Sequence, residues 1–309
     1  MSSPPLRSAL ILGHGSAGRR HTRVLAELGL TVSVVSRRAT AESESYATLE
    51  EGLCRGNPDY VVISDETARH EESLRCLADS EFKGLVLVEK PLFHRVSRLD
   101  ALPFRGLYVA YQLRFHRVIA GLRERLAGDR PIAAQFYVGQ DLRSWREDRP
   151  YTESYSAKAD AGGGVLRDLS HEIDLALWLF GPWQSLAALG GNSGALDIDS
   201  DDAYAILMKA SGCPQITLQL NYLDRPGRRS LVVAAADRTL EADLIAGVLR
   251  ENGAMVLDAS ADADPTRRMH EAVLSGGDEA LCDAPGGLAV LEVIAAAERS
   301  AAAESWVRA

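Results

Sequence analysis

Residues 9–21 read ALILGHGSAGRRH, an apolar run that breaks into Gly13, Gly15 and Gly18 and then into positive charge. The spacing is G-x-G-x-x-G. It follows a strand-like burst directly and opens a helical pattern in which Val24, Leu25 and Leu28 share a face and Gly29 marks the end. In that context each glycine has a physical task. The first permits a sharp turn, the second lets backbone approach a pyrophosphate, and the third lets helix pack closely on strand. Amides at the helix start, including those of Ser16 and Ala17, then face the anion. A chain that opens this way is expected to build a dinucleotide-binding β-α-β unit, with a merely structural turn as the alternative.

The pattern continues. Apolar bursts at residues 6–12, 31–35, 60–64, 84–89 and 107–110 alternate with helical stretches, which is the signature of a parallel sheet covered on both faces. With 309 residues and 46% hydrophobic content the chain exceeds what one core usually holds, about 250–300 residues. Two domains are expected, residues 1–112 and 113–309. After Leu113 the texture changes to a helical stretch at 118–126, a strand-like run at 132–140, a long polar and aromatic segment, and one amphipathic helix beginning near Gly164. Then come AYAILMKA, QITLQLNYL, RSLVVAAA, RTLEADLI and GAMVLDA, divided by the turn signals GCP, DRPGR and ENG. The tail from residue 265 reads as two helices separated by CDAPGG. The expected fold is α/β: an N-terminal Rossmann doubly wound parallel sheet plus a C-terminal α+β domain with an open, mainly antiparallel sheet. An open sheet has a face to cover, so a homodimer or homotetramer is expected.

Composition narrows the partners. Thirty-four Lys and Arg against 43 Asp and Glu give a net charge of -9, which repels a phosphate backbone and argues against nucleic acid. Cys54, Cys76, Cys213 and Cys282 are widely spaced and suggest buried apolar thiols in a reducing compartment, with no metal site. The start MSSPPLRSAL lacks the long uncharged run of a signal peptide, and no stretch of about 18 apolar residues occurs. A cytoplasmic protein with no membrane partner is expected.

Cofactor choice is read at the end of the second strand. A carboxylate there would accept from an adenosine ribose and repel an added 2′-phosphate. The segment TVSVVSRRAT instead offers Ser36, Arg37 and Arg38, whose hydroxyl and guanidinium groups suit a phosphate dianion. NADP is favoured over NAD, the alternative being an ordinary solvated loop.

At LVEKPLF a more specific signal appears. Together with GHGSAGRRH, PDYVVISDETARH, YQLRFH, GGGVLRDLSHEIDLALWLFG and the tail VLEVIAAAERSAAAESWV, in that order, the chain resembles the glucose-fructose oxidoreductase, inositol dehydrogenase and MocA family of nicotinamide-dependent sugar oxidoreductases. The resemblance runs nearly the whole length. It implies that Lys90 lies near the nicotinamide and the substrate hydroxyl, that Thr67 and Glu89 join the cofactor contacts, and that the bond before Pro91 is cis. The residues alone leave open a lysine that merely reaches solvent from a strand end. Asp168, His171 and Asp174 follow Gly162, Gly163 and Gly164, and at about 100° per residue Asp168 and His171 share a helix face. The family pattern implies that His171 is the catalytic acid or base. There the preceding Asp stands four residues before the histidine; here Asp168 stands three before, which leaves its place in the pattern open.

The resulting expectation is hydride transfer at a carbinol or carbonyl carbon, with His171 moving the hydroxyl proton and Lys90 steadying the oxygen across one shared pocket. The segment between residues 138 and 164 carries Trp145, Arg146, Arg149, Tyr151, Tyr155, Ser156 and Lys158, of which Trp145, Arg146 and Tyr155 are taken with Arg114, Asp168 and His171 as substrate contacts. Arginine richness points to an anionic substrate, a sugar acid or nucleotide sugar. Two other functions fit the same features: a metabolite sensor that binds NADP without turnover, and a reductase of a non-sugar small molecule.

Overall fold

The computed structural model describes residues 6–36, 43–100, 102–145, 149–261 and 264–309. In chain order it begins β1 (Ser8–Leu12), α1 (Ser16–Glu27), β2 (Thr31–Val35), β3 (Glu44–Tyr46), α2 (Leu49–Gly56), β4 (Tyr60–Ile63), α3 (His70–Asp79), β5 (Leu85–Val88) and β6 (Gly106–Val109). It continues with α4 (Arg117–Leu126), β7 (Ala133–Gly139), α5 (Val165–Asp168), α6 (His171–Phe180), β8 (Trp183–Gly191), β9 (Ala203–Ala210) and β10 (Cys213–Asn221). Then follow β11 (Arg228–Ala234), β12 (Thr239–Asp243), β13 (Val248–Glu251), β14 (Ala254–Asp258), α7 (Pro265–Leu274), β15 (Cys282–Asp283), α8 (Ala284–Ala303) and β16 (Val307–Arg308). Two compact units result: Met1–Gln112 with Asp264–Gly287, and Leu113–Ala263 with Leu288–Ala309.

Among the described residues the sheet of the first unit has the order β15-β6-β5-β4-β1-β2-β3. All its pairs are parallel except β15 with β6. Apart from the β15 edge this is the doubly wound dinucleotide order, and the direction of winding reverses at β1. Both faces are covered, so β4 and β5 are buried at every position and show no alternation. Each fully buried Val, Leu or Ile there contributes about 1.5–3 kcal/mol. Helix α1 ends as the sequence predicts: Gly29, at φ 87°, donates to Ala26 O and Leu30 donates to Leu25 O, which closes the last turn.

The return of residues 264–287 to this unit departs from a simple division after residue 112. Helix α7 lies along α1, tied by Arg23 to Asp264 at 3.6 Å and Arg267 to Glu27 at 3.5 Å, and it buries Met269, His270 and Val273. Helical spacing tells which side of a tail helix is apolar, not which sheet it covers. The tail holds the two expected helices, α7 and α8, but only the first two residues of CDAPGG lie between them. Cys282 and Asp283 pair with Val109 and Tyr108 as β15, and α8 starts at Ala284, with Pro285 in the first turn, where a missing N–H costs nothing.

The second unit holds the sheet β14-β13-β12-β11-β7-β10-β9-β8-β16, antiparallel except for β10 with β7. Strands β9 and β10 alternate: Ile206, Met208, Ile216, Leu218 and Leu220 are buried on the side of α5 and α6, whereas Ala205, Leu207, Thr217 and Gln219 are exposed. The helix expected from Gly164 is two helices, α5 and α6, interrupted at Leu169 and Ser170. It is not amphipathic either. Residues 171–176 are all buried, and the acids among them have arginine partners: Glu172 with Arg229 at 2.9 Å and Asp174 with Arg114 at 2.6 Å. Buried charge is tolerated when it is paired and hydrogen-bonded.

Candidate active site

In the first unit the sequence candidates sit where parallel strands end. Gly13 follows β1 at φ 85°, and a Cβ there would come within 2.7 Å of the Ser64 carbonyl oxygen. Ser64 Oγ in turn donates to the carbonyl oxygens of Leu12 at 2.9 Å and Gly13 at 3.0 Å, joining the ends of β1 and β4. A Cβ on Gly18 would run into Gly13 O, so α1 starts hard against the turn. Gly15 is different: a Cβ there would meet nothing within 4 Å. It caps α1 with backbone only, and the first turn, which holds Ser16 and Ala17, carries no acidic side chain. Amide dipoles, a first turn without acids and an open approach over Gly15 fit the diphosphate of a dinucleotide.

Ser36 follows β2 and its amide donates to Tyr46 O at 3.1 Å. Arg37 and Arg38, on which the NADP preference was read, lie outside the described residues, as does Arg146. Thr67 is buried and opens a short turn after β4. From the start of α3, His70 bridges to the next strand end, with Nδ1 3.1 Å from Pro91 O and Nε2 3.2 Å from Asp65 O.

Glu89 and Lys90 follow β5, and the Lys90–Pro91 bond is cis. Glu89, its side chain 16% exposed, accepts from His21 Nε2 at 2.9 Å and from the Lys90 amide at 3.0 Å. Burial pushes its carboxyl up, but the His21 hydrogen bond foremost, with the Lys90 charge and amide, outweighs it and holds the group low, at about 2.

In the second unit Asp168 is the centre of a polar cluster. It is 5% exposed and accepts from the Tyr155 hydroxyl at 2.8 Å and the Tyr222 hydroxyl at 2.6 Å. The Tyr222 ring meets Trp145 edge to face, centroids 5.2 Å apart. Burial foremost, then the Asp168 charge, pushes the Tyr222 hydroxyl well above its ordinary value, so it remains a donor. His171 is buried as the first residue of α6. Arg114 is buried, its guanidinium forks onto Asp174 at 2.9 and 2.6 Å, and it lies 5.5 Å from the Trp178 ring centroid. The structure gathers Trp145, Tyr155 and Asp168 around Tyr222. Tyr222 was not singled out from sequence; its one signal is an aromatic placed just past the alternating run of β10.

Residues 134–241, from β7 into β12, match the GFO/IDH/MocA C-terminal domain. The Asp168 cluster lies within these matched residues, on α5 and around the end of β10. Solved structures extend the likeness of fold to both units. WlbA dehydrogenase from Bordetella pertussis, in complex with NADH and UDP-GlcNAcA, matches at 18% identity and a TM-score of 0.79 over 98% of each chain. Levoglucosan dehydrogenase in complex with NADH matches at 17% identity and a TM-score of 0.81 over 98% of each chain. UDP-N-acetylglucosamine 3-dehydrogenase GnnA from Acidithiobacillus ferrooxidans matches at 20% identity and a TM-score of 0.78, covering 97% of this chain and 99% of that one. No curated protein matches the chain in sequence.

Proposed function

We propose that the protein is a nicotinamide-dependent oxidoreductase acting on a CH–OH group of a sugar, sugar acid or nucleotide sugar. The observation that carries the reading is the diphosphate-fitting turn at the switch point of a doubly wound sheet, in one chain with a GFO/IDH/MocA domain. Neighbours of the same fold that hold NADH together with UDP-GlcNAcA, or are named for dehydrogenation of UDP-N-acetylglucosamine or levoglucosan, support it.

When bound, the nicotinamide supplies a carbon that accepts or returns a hydride. The chain supplies the rest. Gly13, Gly15, Ser16, Ala17 and Gly18 receive the diphosphate, while Ser36, Thr67 and Glu89 line the remainder of the dinucleotide site. Lys90 holds the substrate oxygen as it gains or loses carbonyl character, and His171 removes or returns the hydroxyl proton. A histidine suits both directions because its ordinary pKa of about 6.5 lies near neutrality. Asp168, held by two phenols, keeps an ordered acceptor for the substrate, and Trp145, Tyr155, Arg146 and Arg114, the last oriented by Asp174, complete its contacts. Ser36, Arg37 and Arg38 keep NADP as the favoured cofactor, and NADH, bound by two of the neighbours, is measured beside it.

The chain reads as a cytoplasmic homodimer or homotetramer. The outward side of the second sheet supports self-association, with Leu189 70% and Leu207 42% exposed among Ala205, Thr217 and Gln219. Among the described residues no helix is long and apolar enough to cross a membrane.

Fluorescence titration with NADPH and NADH, followed by turnover assays on a panel of sugar acids and nucleotide sugars, tests the proposal. Submicromolar to micromolar dinucleotide binding with turnover of a panel member is expected. Absence of any dinucleotide binding would end it.

A further inference from the structure

Behind the EKP segment runs a line of hydrogen bonds that the proposed chemistry does not use. His21 on α1, whose Nε2 meets Glu89, places its Nδ1 2.8 Å from Nε2 of His270 on α7. His270 Nδ1 is 3.0 Å from the hydroxyl of Tyr60, the first residue of β4. His21, His270 and Tyr60 are all buried, and their rings stack edge to face. The four residues come from α1, α7, β4 and the segment just past β5, all in the first unit, and span the chain from residue 21 to residue 270.

Chemistry gives the line a direction. Glu89 is ionised at neutral pH and accepts, so His21 Nε2 carries the proton. Burial foremost holds His270 well below its ordinary value, so it has one N–H. Burial, then Tyr108, pushes Tyr60 well up, so it keeps its hydroxyl proton. The groups facing one another are therefore Glu89 with His21 and Lys90, His270 with His21 and Tyr60, and Tyr60 with Tyr108. One arrangement satisfies each link without a buried imidazolium: Tyr60 donates to His270 Nδ1, His270 Nε2–H donates to His21 Nδ1, and His21 Nε2–H donates to Glu89. The reverse direction needs a second proton on His21.

We propose that Tyr60, His270 and His21 are positioning residues whose one-way chain holds the Glu89 carboxylate in place beside Lys90. The inference rests on the role given to Lys90 above and sharpens it. The placed carboxylate steadies Lys90 as the donor to the substrate oxygen, and proton traffic belongs to His171. The distal segment 264–287 thereby reaches the catalytic lysine without touching substrate.

The four lysines, Lys83, Lys90, Lys158 and Lys209, make the test direct. In lysine-labelled full-length protein the Lys90 side-chain NMR signal is the one that Lys90→Arg removes, and its titration needs neither substrate nor cofactor. Glu89→Gln is expected to raise the acid dissociation constant of Lys90 about tenfold or more. His270→Leu should move it the same way: His21 then either switches tautomer and releases Glu89 or takes a second proton and adds a like charge. His270→Gln, whose amide can still donate to His21, should restore the wild-type midpoint. In wild-type protein, nitrogen-labelled His21 and His270 should both carry their proton on Nε2, a readout that survives if the leucine variant does not fold. A Lys90 midpoint unmoved in well-folded Glu89→Gln and His270→Leu, or an Nδ1–H His270 in wild type, overturns the proposal. A protein that shows the shift yet oxidises nothing keeps the relay and loses the oxidoreductase reading, while turnover with an unmoved midpoint loses the relay alone.

Discussion

Tyr222 Oη and Asp168 Oδ2 stand 2.6 Å apart, joining the residue just past β10 to the last residue of α5 across 54 positions of sequence. With Tyr155 on the other carboxylate oxygen, Asp168 has both oxygens engaged by phenols. Tyr222→Phe removes a hydrogen bond to a charged group, worth about 1.5–3 kcal/mol. The variant should unfold at lower denaturant concentration and turn over about tenfold more slowly while binding dinucleotide normally. Denaturant titration and steady-state kinetics on the same preparation check both; unchanged kinetics would leave Asp168 a structural residue only.

Gly15 and Gly18 separate dinucleotide binding from folding. A methyl at Gly15 meets open space, and φ there is -72°, so Gly15→Ala should keep its thermal midpoint and lose dinucleotide affinity. Gly18→Ala drives its Cβ into Gly13 O and should cost about 1–3 kcal/mol as well. Calorimetry paired with NADPH fluorescence distinguishes them. Full affinity in Gly15→Ala would place the diphosphate elsewhere.

His171→Ala should lower turnover about a hundredfold or more with NADPH affinity retained, as expected for a proton-transferring group. Stopped-flow and equilibrium binding measure the two halves of that statement, and unaltered turnover removes His171 from the mechanism.

The double replacement of Arg37 and Arg38 by Ala should weaken NADPH far more than NADH, because only NADPH carries the 2′-phosphate. Parallel titrations decide it: equal losses would assign the two arginines to ordinary solvent-facing charge.

Acid should destabilise the first unit in two stages. His270, depressed when folded, gains its proton on unfolding, so its contribution is present above about pH 6.5 and is lost as pH falls below that value. Glu89, at about 2 when folded, contributes above its ordinary value near 4.5 and loses that contribution as pH falls towards 2. Urea unfolding from pH 8 to pH 3 should therefore show wild type losing stability below pH 6.5 more steeply than His270→Gln. Parallel curves would show that the buried imidazole is silent.

Much of the fold is legible in the sequence, for reasons that also mark where legibility stops. The central parallel strands are buried on both sides, so β1, β4 and β5 stand out as apolar runs, and the alternation of β9 and β10 exposes an open sheet. Strand β3 is too short to show a period, and β8, reading WQSLAALGG, is two-thirds alanine, leucine and glycine, residues that favour no strand. The break at Leu169 and Ser170 was hidden because nothing in LRDLSHEID disfavours a continuous helix. In the candidate site, the glycines and EKP are local signals that can be read from spacing. The partners of Asp168 and Glu89, namely Tyr222 and His270, arrive from remote positions, and a lone tyrosine or histidine carries no mark of what it will meet.

Helix α7 and strand β15 also bear on how the protein is made. The first 112 residues leave the ribosome lacking the helix that covers α1, the strand that guards the β6 edge and the imidazole that completes the His21 pairing. That half must wait through the synthesis of roughly 150 further residues before its core can close. A gene fragment ending at Gln112 would encode an open sheet with an unguarded border, prone to stick to its own kind.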